Sequence, residues 1–192
     1  MQKALLLLSG PIAVGKTAVR DELVANHRFD YVRSGRYLTE MANKRLLTVG
    51  RTSLQDLGDR LDEETDFRWL LDDVIVPALS EKANVDRWIV DAVRKPEQVR
   101  HIRQMAGGPV ALHIHLTAPE PVLERRYEAR RALQPQNLDS IPYHVAVKHP
   151  NETISRGLYQ IADETYDTEL IGPREIGMRV SNWFSSRTVD GS

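Results

Sequence analysis

Gly10-Pro11-Ile12-Ala13-Val14-Gly15-Lys16-Thr17 follows the apolar run Ala4–Leu8 and precedes a helically patterned stretch, Ala18–Ala25. Strand, glycine-bounded loop and helix, in that order, make a phosphate-binding P-loop of the Walker A type, G-x(4)-G-K-[ST]. The N–H groups of such a loop, here from Ala13 through Ala18, converge on phosphate oxygens, and the helix N-terminus adds positive dipole. Lys16 reaches the outer phosphates and Thr17 holds Mg²⁺, with Gly10 and Gly15 bounding the loop. At average glycine usage the spacing arises by chance in roughly one chain in a hundred of this length. The bland alternative is a glycine turn beside a solvated lysine.

The rest of the chain narrows the setting. Its 192 residues suit one domain with a substantial core, here expected over 1–187, with a polar tail over 188–192. Lysine and arginine number 26 against 27 aspartates and glutamates, which argues against bulk binding to nucleic acid or membrane. Cysteine is absent, so disulfides and thiolate metal sites are excluded and a reducing, cytoplasmic setting is expected. Leu5–Leu8 is too short for a membrane span. It reads as a strand of a parallel sheet, apolar on both faces.

Apolar runs alternate with longer helical patterns, which predicts an α/β fold around a parallel sheet. Strands are expected at Ala4–Ser9, Tyr31–Arg33, Trp88–Asp91, Val110–Leu116 and Glu164–Thr168. Helices are expected at Lys16–Ala25, at two or three places in Tyr37–Lys82, and at Pro96–Met105. Others follow Pro119 and Pro121 as far as Leu133, and at Asn151–Ala162 and Arg174–Phe184. Pro77 is expected to kink or break its helix. The stretch Gln134–Pro150 holds three prolines and little periodicity, which reads as a loop or flap.

Asp91 ends a buried strand, and carboxyl ends of parallel strands face the ligand crevice. Beside the first strand, Asp91 would meet the P-loop magnesium through water, and Arg94 would grip an acceptor phosphate bidentately. Arg126 and Arg130, four apart on one helix face with Arg125 and Arg131 beside them, suit the charge spread over a phosphoryl group in flight. A salt-bridged surface helix with Glu124 and Glu128 is the alternative. Ser34, Gly35 and Arg36, then Arg51 and Gln55, are candidates for the acceptor. Arg36 and Arg51 would take its phosphate and Gln55 a base, while Ser34 could equally be a helix cap. His113 and His115 alternate on one strand face, where a core setting outweighs a metal site. Lys148, His144 and His149 flank the flap. Trp69, Trp88 and Trp183 are expected in the core.

Taken in order, these segments resemble the nucleoside monophosphate kinase family of P-loop proteins, the adenylate-kinase-like group. GPIAVGKT resembles its phosphate loop, and VRSGRYL the opening of its acceptor region. IVDAVRKPEQV is similar to its Asp-Gly-x-x-Arg segment, VLERRYEARR to its lid-bearing helix, and NETISRGLYQIADETYDT to its late helix and strand. Within the group, phage-type deoxynucleoside monophosphate kinases and dephospho-coenzyme A kinase-like proteins look most similar. The resemblance implies a five-stranded parallel sheet of order 2-3-1-4-5, an acceptor region over 34–82 and a lid over 126–150. It implies ATP and Mg²⁺ as cofactors and transfer to a nucleoside monophosphate. Ala92 stands where glycine is usual, Thr168 where asparagine is common, and the lid is short, without zinc ligands. The expectation is therefore a kinase for a nucleoside or deoxynucleoside monophosphate, catalysed by Lys16, Asp91, Arg94, Arg126 and Arg130. Alternatives are a kinase for dephospho-coenzyme A, a nucleoside or a modified base, and a nucleotide-sensing module. The sequence leaves open its oligomeric state and whether another domain is attached.

Overall fold

A computed structural model describes residues 3–47, 49–105, 108–133 and 141–188, with the side chains of Arg51 and Thr188 outside that set. Leu5 to Leu8 are fully buried because strand β1, Ala4–Ser9, lies at the centre of the sheet. Around it stand β2 (Asp30–Arg33), β3 (Arg87–Asp91), β4 (Val110–Thr117) and β5 (Glu164–Asp167). All neighbours run parallel, in the order β2-β3-β1-β4-β5. This is the order that the resemblance implies.

Alternate side chains of β1 feed two cores. Leu6 and Leu8 join Ile89, Leu112, Ile114 and Leu116 beneath helices α1 (Lys16–Asn26) and α9 (Pro173–Thr188), through Leu23, Ile176, Val180 and Phe184. Leu5 and Leu7 join Trp88 and Val90 on the other face. That face is covered by α3 (Arg51–Glu64), by α5 (Pro96–Arg103) and by a π-helical segment, Leu70–Ile75. Removing each buried leucine side chain from water contributes about 2 kcal/mol, so the central strand is the strongest single anchor of both layers.

Helix ends follow local chemistry. Pro96 and Pro150 open α5 and α8 (Pro150–Gly157) at a position where a missing N–H costs nothing. Ser53 Oγ accepts the Gly50 N–H at 2.9 Å and fixes the start of α3. Several expected boundaries are corrected. Helix α2 (Ser34–Lys44) begins at Ser34 itself, with Arg33 as its cap, so Ser34-Gly35 is a first helical turn and not a loop. Pro77 does not break the chain's course. It sits in the first turn of α4 (Val76–Glu81), directly after the π-helical segment.

Helix α6 (Glu120–Leu133) ends where expected. Of the expected flap, residues 134–140 lie outside the described set. Tyr143–Ala146 forms a short helix, α7, because Tyr143 packs on Tyr127 and bonds Glu120. After α8 a 3₁₀ turn, Leu158–Ile161, leads toward β5. Helix α9 continues to Thr188, past the expected end at Phe184, and residues 189–192 lie outside the described set. Among the described residues no helix is long and apolar enough to cross a membrane.

His113 and His115 point from β4 into the second core, one on either side of the Ser9 hydroxyl. Ser9 Oγ lies 2.7 Å from His113 Nε2 and 2.9 Å from His115 Nδ1. With one proton, the hydroxyl donates to one ring, which must be neutral to accept, and accepts from the other. Burial lowers both imidazoles to about 4, with Arg103 adding to the effect at His113 and His113 at His115. Among the described residues no three His, Asp or Glu side chains gather as a metal site.

The unfolded chain binds protons on these rings below about 6.5, whereas the folded chain does so only near 4. Their contribution is therefore complete above pH 6.5 and is lost as pH falls toward 4, by up to about 3 kcal/mol for one such ring. Urea unfolding across this window should show a flatter slope for the H113Q/H115Q double variant than for the wild type. Parallel curves would remove the pair from the acid response.

Candidate functional site

The phosphate loop leaves β1 through a turn that only glycine can make. Gly10 has φ +134°, and a Cβ there would lie 2.5 Å from the Leu116 carbonyl oxygen of β4. Ala13 and Gly15 also take positive φ, of 63° and 105°. Alternating handedness of this kind turns successive N–H groups inward, as an anion nest requires. The loop opens on a cavity of about 350 Å³ lined by Ala13, Val14, Gly15, Lys16, Thr17, Ala18, Asp21, Arg126 and Arg130.

Lys16 lies back over the loop, its Nζ donating to the carbonyls of Gly10 at 2.5 Å and Pro11 at 2.8 Å. Burial lowers its ammonium to about 8. The Glu152 and Asp91 carboxylates oppose that shift, whereas Arg94 and Arg130 reinforce it. Glu152 was not foreseen. It stands on the first turn of α8, is buried, and accepts the Ile12 N–H at 3.1 Å. Its role as a loop support comes from a residue far away in sequence.

Asp91 ends β3 in register with Leu8, beside the start of the loop. Its Oδ2 accepts from Arg20 Nη1 at 2.7 Å, and the side chains are 12% and 9% exposed. Arg20 also was not foreseen, although its place one turn after Lys16 is visible in the sequence. The donors near the loop that suit a divalent cation are oxygens, the Thr17 hydroxyl and the Asp91 carboxylate. That chemistry fits Mg²⁺, which keeps several waters and takes one or two carboxylates with phosphate oxygens.

Arg126 is held in place rather than free to swing. Its guanidinium donates to Thr168 Oγ1 at 2.8 Å, to the Thr168 carbonyl at 2.9 Å and to the Val14 carbonyl at 3.4 Å. Thr168 Oγ1 in turn donates to the Val14 carbonyl at 2.7 Å. Thr168 thereby ties the end of β5 to the phosphate loop. Arg130 lines the same cavity one turn further along, with its guanidinium carbon 5.7 Å from the Tyr127 ring centroid. Arg131 pairs with Glu128.

A second cavity, of about 150 Å³, lies between α2, α3, the loop after β3 and α8. Ser34, Gly35, Gln55 and Arg94 line it, so four of the expected acceptor residues meet there. Arg36 does not. Its side chain is 82% exposed and paired with Glu40 on the far side of α2. The helical turn that begins at Ser34 carries Arg36 away from the cavity. The Arg51 side chain lies outside the described set.

The remaining lining was not foreseen. Asp59, Asp62, Trp69, Gln98 and Asn151 all contribute. Asp62 Oδ1 accepts from Trp69 Nε1 at 2.7 Å and from Gln98 Nε2 at 3.0 Å. Burial raises the Asp62 carboxyl, and those two bonds oppose the shift. Asp59 meets Lys95 at 2.9 Å and accepts from Asn151 Nδ2 at 2.9 Å. Among the described residues, Gln55 Nε2 and Asn151 Oδ1, a donor and an acceptor, are buried without a hydrogen-bond partner, as is Asp59 Oδ1 apart from its ion pair with Lys95. Gln55, Asp59 and Asp62 follow at i, i+4 and i+7, a polar stripe on α3 that the sequence displays.

Polyphosphate binding favours the charged form of Lys16, whose ammonium is already weakened in the open loop. Affinity for ADP without metal should therefore fall as pH rises above about 8, by up to ~tenfold per pH unit. Calorimetric titration at pH 7 to 9.5 checks this, and K16M should bind weakly with no slope. Arg126→Ala should weaken ADP binding about tenfold with the melting temperature little changed, as read by fluorescence and thermal denaturation.

Comparison with known proteins agrees with this architecture. No protein with a curated description matches the sequence. The chain is similar over 96% of its length, at 14% identity and a TM-score of 0.57, to a sugar kinase from Janibacter sp. HTCC2649, 95% of which is covered. It is similar over 95%, at 15% identity and a TM-score of 0.53, to the Deinococcus radiodurans tunicamycin resistance protein, 96% covered. It is similar over 97%, at 14% identity and a TM-score of 0.50, to the Aquifex aeolicus shikimate kinase, 99% covered. These likenesses establish the P-loop kinase fold. The profile of one family, described as AAA domain, matches residues 6–140, more than half of the chain. With its phosphate loop, most of the central strand β1, strands β3 and β4 and its arginine-bearing helix inside that span, the chain belongs to the AAA domain family.

Proposed function

We propose that this protein transfers the γ-phosphate of ATP, with Mg²⁺, to a small acceptor, and that the acceptor is a nucleoside or deoxynucleoside monophosphate. One observation carries the reading. Lys16 lines the cavity above the phosphate loop, and Arg94, which acts on its charge, lines the second cavity. A second compartment whose arginine acts on the charge of the phosphate-loop lysine suits two substrates better than one, which favours transfer over nucleotide sensing.

In the reaction, an acceptor oxygen attacks the γ-phosphorus while the bond to the β–γ bridging oxygen breaks and ADP leaves. The loop N–H groups hold the β-phosphate. Lys16 exchanges the carbonyls of Gly10 and Pro11 for phosphate oxygens. Arg94 and Arg130 face the charge that spreads over the transferring group. Arg126, anchored through Thr168, walls the donor nucleotide. Mg²⁺, held by Thr17 and through water by Asp91, neutralises phosphate charge when bound. Positioning supplies much of the remaining barrier reduction.

The acceptor class rests on the second cavity. Its walls are largely apolar, with Leu38, Leu54, Trp69 and Ala92. Among the described residues, its buried polar atoms without a hydrogen-bond partner include the amide donor of Gln55 and the amide acceptor of Asn151. A flat heterocycle with one acceptor and one donor on its edge satisfies both. Arg94 then takes the acceptor phosphate. A second reading, a hydroxylated acceptor such as those named for the sugar and shikimate kinases, is favoured by the Asp59 and Asp62 carboxylates in the same wall.

A coupled ADP-release assay with ATP, Mg²⁺ and a panel of nucleoside monophosphates, nucleosides, dephospho-coenzyme A and sugars tests the reading. Acceptor-dependent turnover is expected with a monophosphate and is expected to fall by two to three orders of magnitude in K16A. Gln55→Ala should raise the acceptor KM about tenfold with kcat little changed. Turnover only with sugars would replace the acceptor class, and none with any acceptor would overturn the kinase.

A further inference from the structure

Arg20 stands one helical turn beyond Lys16, so the geometry of α1 aims it beneath the phosphate loop. Its Nη1 donates to Asp91 Oδ2 at 2.7 Å. Its Nη2 and Nε donate to Asp21 Oδ1 at 2.7 and 3.0 Å. Its guanidinium carbon lies 4.8 Å from the centre of the Tyr31 ring, which closes the remaining side. One planar cation thus bonds one oxygen of each of two carboxylates. Both belong to the region of Thr17. Asp21 is four residues on from it along α1 and lines the same cavity, and Asp91 ends the adjoining strand.

We infer that Arg20 is a resident cation of the divalent-metal site, neutralising Asp91 and Asp21 so that the site takes Mg²⁺ only together with a nucleotide polyphosphate. The inference rests on the reading of Thr17 and Asp91 as the metal-holding residues. The hydroxyl and two carboxylates are the hard oxygen donors that Mg²⁺ and Mn²⁺ prefer. Left to themselves, the nearly buried Asp91 carboxylate and the more exposed Asp21 carboxylate would together attract such an ion. Arg20 offsets one of their two charges from within contact distance, and Lys16 adds a second positive charge nearby. Those four charges sum to zero, so a bare cation entering the loop meets no net attraction. A polyphosphate reverses the balance, because it engages Lys16 and brings ligand oxygens of its own. The second oxygen of Asp91 then serves water on the metal while Arg20 fixes the carboxylate's orientation.

Binding of Mn²⁺ to the nucleotide-free protein, read by electron paramagnetic resonance, tests this without any acceptor or turnover. The wild type should bind Mn²⁺ only weakly until ADP is added. R20Q should bind Mn²⁺ alone at least tenfold more tightly, and R20K, which keeps the charge, should stay within about threefold of the wild type. The R20Q/D21N double variant removes one acid with the cation and should return to weak binding. Melting temperatures supply the second readout. R20Q should melt lower than the wild type in EDTA and recover with Mn²⁺ alone, whereas the wild type should not respond until ADP is present. If R20Q binds Mn²⁺ no more tightly than the wild type, or melts low regardless of Mn²⁺, Arg20 is only a structural ion pair. Tight nucleotide-independent Mn²⁺ binding by the wild type would also overturn the inference. Failure of every acceptor in the turnover assay would reject the kinase and leave these measurements unaffected.

Discussion

The turn at Gly10 is the constraint on which the site depends. Strand β1 is hemmed between β3 and β4, so the chain can leave the sheet only at its carboxyl end. It does so against the Leu116 carbonyl, at a distance that excludes any side chain. A Cβ at this position would force the loop away from β4 or twist β1 out of register. Because all strands run parallel, the same end of the sheet also receives Asp91 from β3 and, after β4, the helix that bears Arg126 and Arg130. One backbone contact therefore sets the height of the phosphate loop relative to every charged group that serves it.

Around that loop the charges are arranged by opposition. Glu152 supports the Ile12 amide and favours the Lys16 ammonium, while Arg94 and Arg130 weaken it. The ammonium accordingly spends its hydrogen bonds on two loop carbonyls, a modest arrangement that phosphate oxygens can improve upon. The acceptor side is built differently. There the carboxylates of Asp59 and Asp62 are engaged by Lys95, Asn151, Trp69 and Gln98, and the Gln55 and Asn151 amides each keep a buried polar atom without a hydrogen-bond partner among the described residues. The phosphate loop is thus surrounded by charge, and the second cavity by hydrogen-bonding groups.

Much of this was legible in the residues. All five strands were located to within a residue or two; the central ones announce themselves because buried parallel strands are rich in apolar side chains, whereas the edge strands β2 and β5 are short and mostly polar. The strand order came from the family resemblance and not from periodicity. Side-chain direction in the helical region was the least legible. Gln55, Asp59 and Asp62 form an inward stripe, yet α3 is charged on several faces and its outward acids look the same in sequence. Arg36 illustrates the converse error, since a shift of the helix start to Ser34 turns it outward. Asn151 and Glu152 are brought to the site by tertiary packing alone. No local pattern could have announced them.

Trp69 gives this arrangement an optical consequence. Of the three tryptophans, Trp88 is sealed in the core and Trp183 lies on α9 under the Arg187 guanidinium. Trp69 stacks on Tyr37, lines the acceptor cavity and donates its indole N–H to Asp62. An occupant of that cavity alters the polarity and hydrogen bonding around one indole and leaves the other two undisturbed. The chain therefore contains an intrinsic fluorophore in the wall of its second cavity, so that under the proposed function acceptor capture would be read in the unlabelled protein apart from nucleotide capture.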